Sequence, residues 1–208
     1  MIRHICIKCP SCRSTIGFGV GSVIALLGVF LSSSTLAWDR SVLLIGFAVS
    51  GAIGGASLRW GRKGRSATLV TAIGFGIGFS ILGFVTLYPF MYFEEPFPKG
   101  GISSGMLFSL LLFFALTYGL GFYIAGAIGA AFIGAGLRVA LIGAGGFGIG
   151  GVIGGVLFVI LYFFLGNLGP VARIVCVCIG IVIAYSIGGA YLGARVDASD
   201  IHKVDPDV

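Results

Sequence analysis

Ile73-Gly74-Phe75-Gly76-Ile77-Gly78 lies inside an apolar run extending over residues 67–90. Ile16-Gly17-Phe18-Gly19-Val20-Gly21 opens an earlier apolar run, and Gly145-Gly146-Phe147-Gly148-Ile149-Gly150 lies in a later one. All three read G-F-G-aliphatic-G, followed by aliphatic residues. Self-similarity at intervals within one chain marks a fold built from copies of one unit.

The runs between them match one another too. They contain Ser50-Gly51-Ala52-Ile53-Gly54-Gly55-Ala56, Ala125-Gly126-Ala127-Ile128-Gly129-Ala130-Ala131 and Ala184-Tyr185-Ser186-Ile187-Gly188-Gly189-Ala190. Each unit therefore holds one odd-type and one even-type segment. Six segments result, at 15–37, 41–59, 67–90, 107–134, 140–165 and 171–194. Most exceed the ~18 apolar residues that distinguish a membrane span from a buried core helix. The sequence thus predicts an all-α integral membrane protein of about six transmembrane helices. These form three parallel repeats of a glycine-rich helical hairpin, over 15–59, 67–134 and 140–194. Successive copies are separated by an even number of spans, so they share one orientation about an axis along the membrane normal.

Composition agrees. Only 10% of the 208 residues are charged and 58% are hydrophobic, where a soluble domain carries ~25% charge. The 37 glycines fall inside apolar runs with no collagen period. Small residues four apart form a face on which membrane helices pack closely. The odd-type pairs are Gly17/Gly21, Gly74/Gly78 and Gly146/Gly150, extended by Gly154. The even-type pairs are Ser50/Gly54, Ala125/Gly129 and Ala184/Gly188.

Charge sets the orientation. Ten of the 13 Lys and Arg residues flank the outer ends of the odd-to-even hairpins, with Arg59, Arg62, Lys63 and Arg65 the densest group. Arg40, Lys99 and Arg173 alone lie on the other side. Cytoplasmic segments carry such an excess, so both termini are expected in the cytoplasm of a cell with a plasma or bacterial inner membrane. The first apolar run is longer than the ~7–15 residues of a signal peptide core and is a full member of the repeat, so it is expected to be retained. Residues 1–14 form a cysteine-containing amino-terminal segment, and 195–208 an acidic tail. The second hairpin is lengthened by an insert whose Pro96 and Pro98 exclude regular helix. Aromatic residues around it, including Tyr88, Tyr92 and Phe97, fit the headgroup level. The net charge of +6 does not form the basic face that nucleic-acid binding requires.

The spans contain no Asp, Glu, His or Lys, the usual marks of proton relays and ion pathways. The glycine-rich odd spans resemble the inner helices of rotary ATP-synthase c subunits, but those hairpins need a membrane carboxylate that is absent here. Span serines such as Ser50, Ser80 and Ser186 have no histidine or lysine beside them to make a nucleophile, so no enzyme is expected. One segment carries metal chemistry. His4, Cys6, Cys9 and Cys12 offer four soft ligands to zinc, and a reducing cytoplasm favours a metal over a disulfide there. Acylation or redox use of the same thiols is open.

Three functions follow from these features. The first is a non-enzymatic structural or accessory subunit, held together by close-packing faces, within the lipid bilayer and in contact with other membrane subunits or further copies of itself. The second is a channel or carrier for a small neutral or amphipathic solute, whose pathway would be constricted by Phe18, Phe75 and Phe147. The third is a membrane-tethered metal or redox sensor.

Overall fold

The computed structural model describes residues 10–34, 40–59, 65–92, 104–133, 136–165 and 170–196. They form six helices, α1 (Pro10–Ser34), α2 (Arg40–Arg59), α3 (Arg65–Tyr92), α4 (Ser104–Ala131), α5 (Leu137–Leu165) and α6 (Pro170–Arg195). No strand occurs among the described residues. The helices start and stop where backbone chemistry requires. Pro10 and Pro170 are the first residues of α1 and α6, where a fixed φ is preorganised and the missing N–H is not needed. The turn between α4 and α5 contains Gly136 at φ 78°, a left-handed conformation that glycine adopts without strain. The Arg59 guanidinium donates to the Ile133 carbonyl at 2.6 Å, so the end of α2 satisfies a carbonyl just beyond the end of α4.

Cys12 lies within α1, which begins at Pro10, five residues before the apolar run that hydropathy marks. His4, Cys6 and Cys9 lie outside the described residues, as do most of the insert after α3 and most of the acidic tail.

Four helices are long and apolar enough to cross a membrane, with such stretches at Ser66–Gly83, Ser104–Ala131, Leu137–Leu165 and Cys178–Arg195. The described apolar stretches of the other two helices are shorter, Ser11–Leu27 and Leu44–Arg59. The outer surface is as apolar as the interior. Leu116, Leu120, Phe164 and Leu137 are 61%, 59%, 72% and 76% exposed. Large aliphatic and aromatic side chains facing outward on this scale suit a hydrocarbon solvent rather than water.

Each helix packs on its neighbours in the chain, and α1 also packs on α6. The six helices therefore close into a ring. Glycines stand at the contacts between neighbouring helices. Gly21 on α1 sits against the Ser50 carbonyl on α2, Gly78 on α3 against the Ala125 carbonyl on α4, and Gly150 on α5 against the Ala184 carbonyl on α6. A side chain at any of these three glycines would overlap backbone. Helix axes approach this closely only where small residues face one another.

Candidate functional site

The ring encloses an axis filled with aromatic side chains. Phe18, Phe75 and Phe147 are fully buried and meet there. Their ring centroids are 5.2 Å apart for Phe18–Phe75, 4.9 Å for Phe18–Phe147 and 5.9 Å for Phe75–Phe147. The two shorter contacts are edge-on at 67°, the arrangement that places the positive edge of one ring on the negative face of another.

Glycines on both sides admit each ring. Phe18 fits between Gly54 on α2 and Gly189 on α6. Phe75 fits between Gly129 on α4 and Gly55 on α2, and Phe147 between Gly188 on α6 and Gly126 on α4. An added Cβ at any of these glycines would overlap the phenylalanine or the backbone behind it. The spacing G-F-G on odd helices thus has its counterpart in the paired glycines of the even ones.

A second aromatic layer continues the axis towards the ends of α4 and α6 opposite Arg59 and Arg195. Phe79, one turn beyond Phe75, stacks on Tyr185 with centroids 4.4 Å apart. Phe122 meets both, at 5.9 Å and 5.5 Å. Farther on, Tyr118 lies parallel to Phe158 at 6.1 Å and 9°. Phe114 closes on Phe158 at 5.0 Å.

The buried polar side chains of the described residues are Ser14, Ser22, Ser50 and Thr71, and each is already bonded. Ser14 donates to the Gly189 carbonyl at 2.7 Å, joining α1 to α6. Ser22 donates to Gly19 and Thr71 to Ala67, each on its own helix. Ser50 donates to the Phe47 carbonyl at 2.8 Å, and its oxygen lies 2.7 Å from the Tyr185 hydroxyl. Satisfied hydroxyls of this kind stabilise a bundle in lipid.

The remaining sequence-marked residues lie at helix contacts. Gly17 faces Ser57, Gly74 faces Phe132, Gly146 faces Tyr191 and Gly154 faces the Gly180 carbonyl. Ser50, Ala125 and Ala184 are fully buried under the glycines opposite them. Cys12 is half-buried in α1. No cluster of three or more His, Cys, Asp or Glu side chains able to hold a metal occurs among the described residues.

Tyr185 is the participant that the sequence left without a role. It occupies the even-motif position held by Gly51 and Gly126 in the other two copies. There the glycines lie against the Phe75 and Gly143 carbonyls of the next odd helix. A single bulky residue at a position otherwise held by glycine was the available signal.

No family model, curated protein or solved structure matches this chain.

Proposed function

We propose that the chain spans the bilayer six times, as three parallel copies of one hairpin, and acts without catalysis as a structural or accessory membrane subunit with a solid interior. The observation that carries this reading is the packing of Phe18, Phe75 and Phe147 against one another, each set between glycines of two even helices. A path for polar solute needs groups that replace water, and here the Ser14, Ser50 and Tyr185 hydroxyls are bonded within the protein. No activated nucleophile supports an enzyme.

A channel or carrier is the second reading. It is favoured by the same convergence, because three equivalent rings on one axis also have the form of a hydrophobic gate. Solute flux separates the two. Wild type and a Phe18→Ala/Phe75→Ala/Phe147→Ala variant are reconstituted in liposomes at equal protein density, and entry of small neutral solutes is timed. Neither is expected to exceed protein-free vesicles, with circular dichroism showing that the variant is still folded. Flux through wild type, or a leak that appears in the folded variant, would establish the pathway and remove the structural reading.

Both termini are placed in the cytoplasm by the Lys/Arg asymmetry. Reporter fusions at Lys8, Lys63 and Val208 should read cytoplasmic and a fusion at Lys99 should not. A non-cytoplasmic Lys63 would sink this orientation. The amino-terminal His4, Cys6, Cys9 and Cys12 keep a separate proposed role as a zinc site, reached from the cytoplasm and independent of the ring.

A further inference from the structure

Among the described residues, the outer surface carries a crease that the ring does not use. It runs between α4 and α5 and has a volume of about 570 Å3, within the ~300–1,000 Å3 range of small-molecule sites. Its lining is apolar and includes Leu116, Leu120 and Ile149 at the rim and Gly145 and Gly148 at the floor, with Tyr123 its one polar side chain.

Gly145 makes this crease unusual. The glycines at the helix contacts have a neighbouring side chain or carbonyl where a Cβ would go. Among the helix-interior glycines whose surroundings are described, Gly145 alone has nothing within 4 Å of that point. Glycine in a helix is less stable than alanine, and at this position no close packing within the chain compensates. The equivalent positions in the other two copies are Ile16 and Ile73, 56% and 48% exposed. The third copy therefore lacks, at this crease, the outward isoleucine of the other two.

We infer that this crease binds a single hydrocarbon chain of a bilayer lipid, which packs against Gly145 in place of the missing side chain. The inference rests on the membrane-spanning reading above. Gly145 is eight residues into α5 and Ile153 sixteen, which places the crease about 12–24 Å along the helix at ~1.5 Å per residue. A helix of this length overhangs a ~30 Å hydrocarbon layer at both ends, so the crease lies at the depth of acyl chains. Its rim is continuous with the lipid-facing surface, since Leu116, Leu120 and Ile149 are 61%, 59% and 54% exposed. A second copy of the protein fits less well. Here α4 and α5 are in backbone contact, with Gly126 on the Gly143 carbonyl and Gly155 on the Phe114 carbonyl. A crease between two helices that close is narrower than a third helix, which is ~10–12 Å across.

The test uses the full-length protein in detergent, equilibrated with palmitoyl-oleoyl phosphatidylglycerol or the matching phosphatidylcholine, and native mass spectrometry. Wild type should retain one lipid per chain through delipidation, with either headgroup. Gly145→Ile restores the side chain found in the other copies and should lower that occupancy about tenfold or more, with thermal stability unchanged or raised. Ile153→Phe, which narrows the crease from its exposed rim, is the second variant and should act in the same direction. Equal retention by wild type and both variants would overturn the proposal. So would a wild-type dimer that Gly145→Ile dissolves, because the occupant would then be a second copy. Failure of the protein to partition into membranes at all would instead overturn the membrane reading on which the proposal rests.

Discussion

Gly150→Leu is expected to abolish accumulation of folded protein in the membrane, while Ile149→Leu, one residue away, leaves it unchanged. Gly150 faces the Ala184 carbonyl and Cα on α6. Backbone cannot turn aside as a side chain can, so the two helices must separate. Overpacking in a core costs ~1–3 kcal/mol when side chains can adjust, and here the loss should exceed that range. Ile149 is 54% exposed on the outer surface and has room for another aliphatic shape. Gly21→Leu and Gly78→Leu should behave like Gly150→Leu, since they face the Ser50 and Ala125 carbonyls. Gly74→Leu and Gly146→Leu should also lose stability, because the atoms a side chain would meet include the Cβ of Phe132 and of Tyr191, which are fixed to the backbone and cannot rotate away. Expression in membranes and detergent thermal midpoints read the series. Equal losses at Gly150 and Ile149 would mean that these glycines do not form the contact.

Tyr185→Ala is expected to have the second largest effect, a loss of roughly 3–5 kcal/mol of stability, in the range for removing a large buried aromatic side chain. The ring of Tyr185 packs on Phe79, Phe122 and Phe18 and cannot be replaced by water in so apolar a place. Tyr185→Phe keeps the ring and removes the bond to Ser50. It should lose only about 0.6–2 kcal/mol, the scale of interhelical hydrogen bonds in membranes. A Tyr185→Phe as damaging as Tyr185→Ala would show that the hydroxyl, rather than the ring, fixes α6 against α2.

Hydropathy made the six helical segments legible, because a run of apolar residues longer than a span has few other uses. The G-F-G-aliphatic-G strings also marked Phe18, Phe75 and Phe147 as equivalent, and these three side chains meet. Other parts of the site could not be read from local pattern. The Ser50–Tyr185 bond links residues 135 positions apart, and the repeat that marks Tyr185 as a bulky residue at a glycine position does not name its partner. What stands opposite each glycine, a carbonyl or the base of a side chain, is not encoded by spacing. The start of α1 lies before the apolar run because Pro10 suits a first helical turn, whereas hydropathy registers only the apolar part. At Gly145 the difference from Ile16 and Ile73 was present in the aligned strings, but its consequence depends on how α4 and α5 are spaced.

The six helices close into one ring around a packed axis, and cross-linking between α1 and α6 tests that closure. A Cβ at Gly19 would lie 3.9 Å from the Ser186 hydroxyl, so cysteines at these two positions face each other across the α1–α6 seam. Gly76 meets Ala52 in the equivalent seam between α3 and α2, at 3.7 Å. The five native cysteines are replaced, and Gly19→Cys is paired with Ser186→Cys or, as control, with Ala127→Cys, the matching position on α4. Mild oxidation in native membranes should join 19 to 186 within one chain and leave 19 and 127 unjoined. No 19–186 bond in folded protein, or a bond to 127 in its place, would contradict the ring.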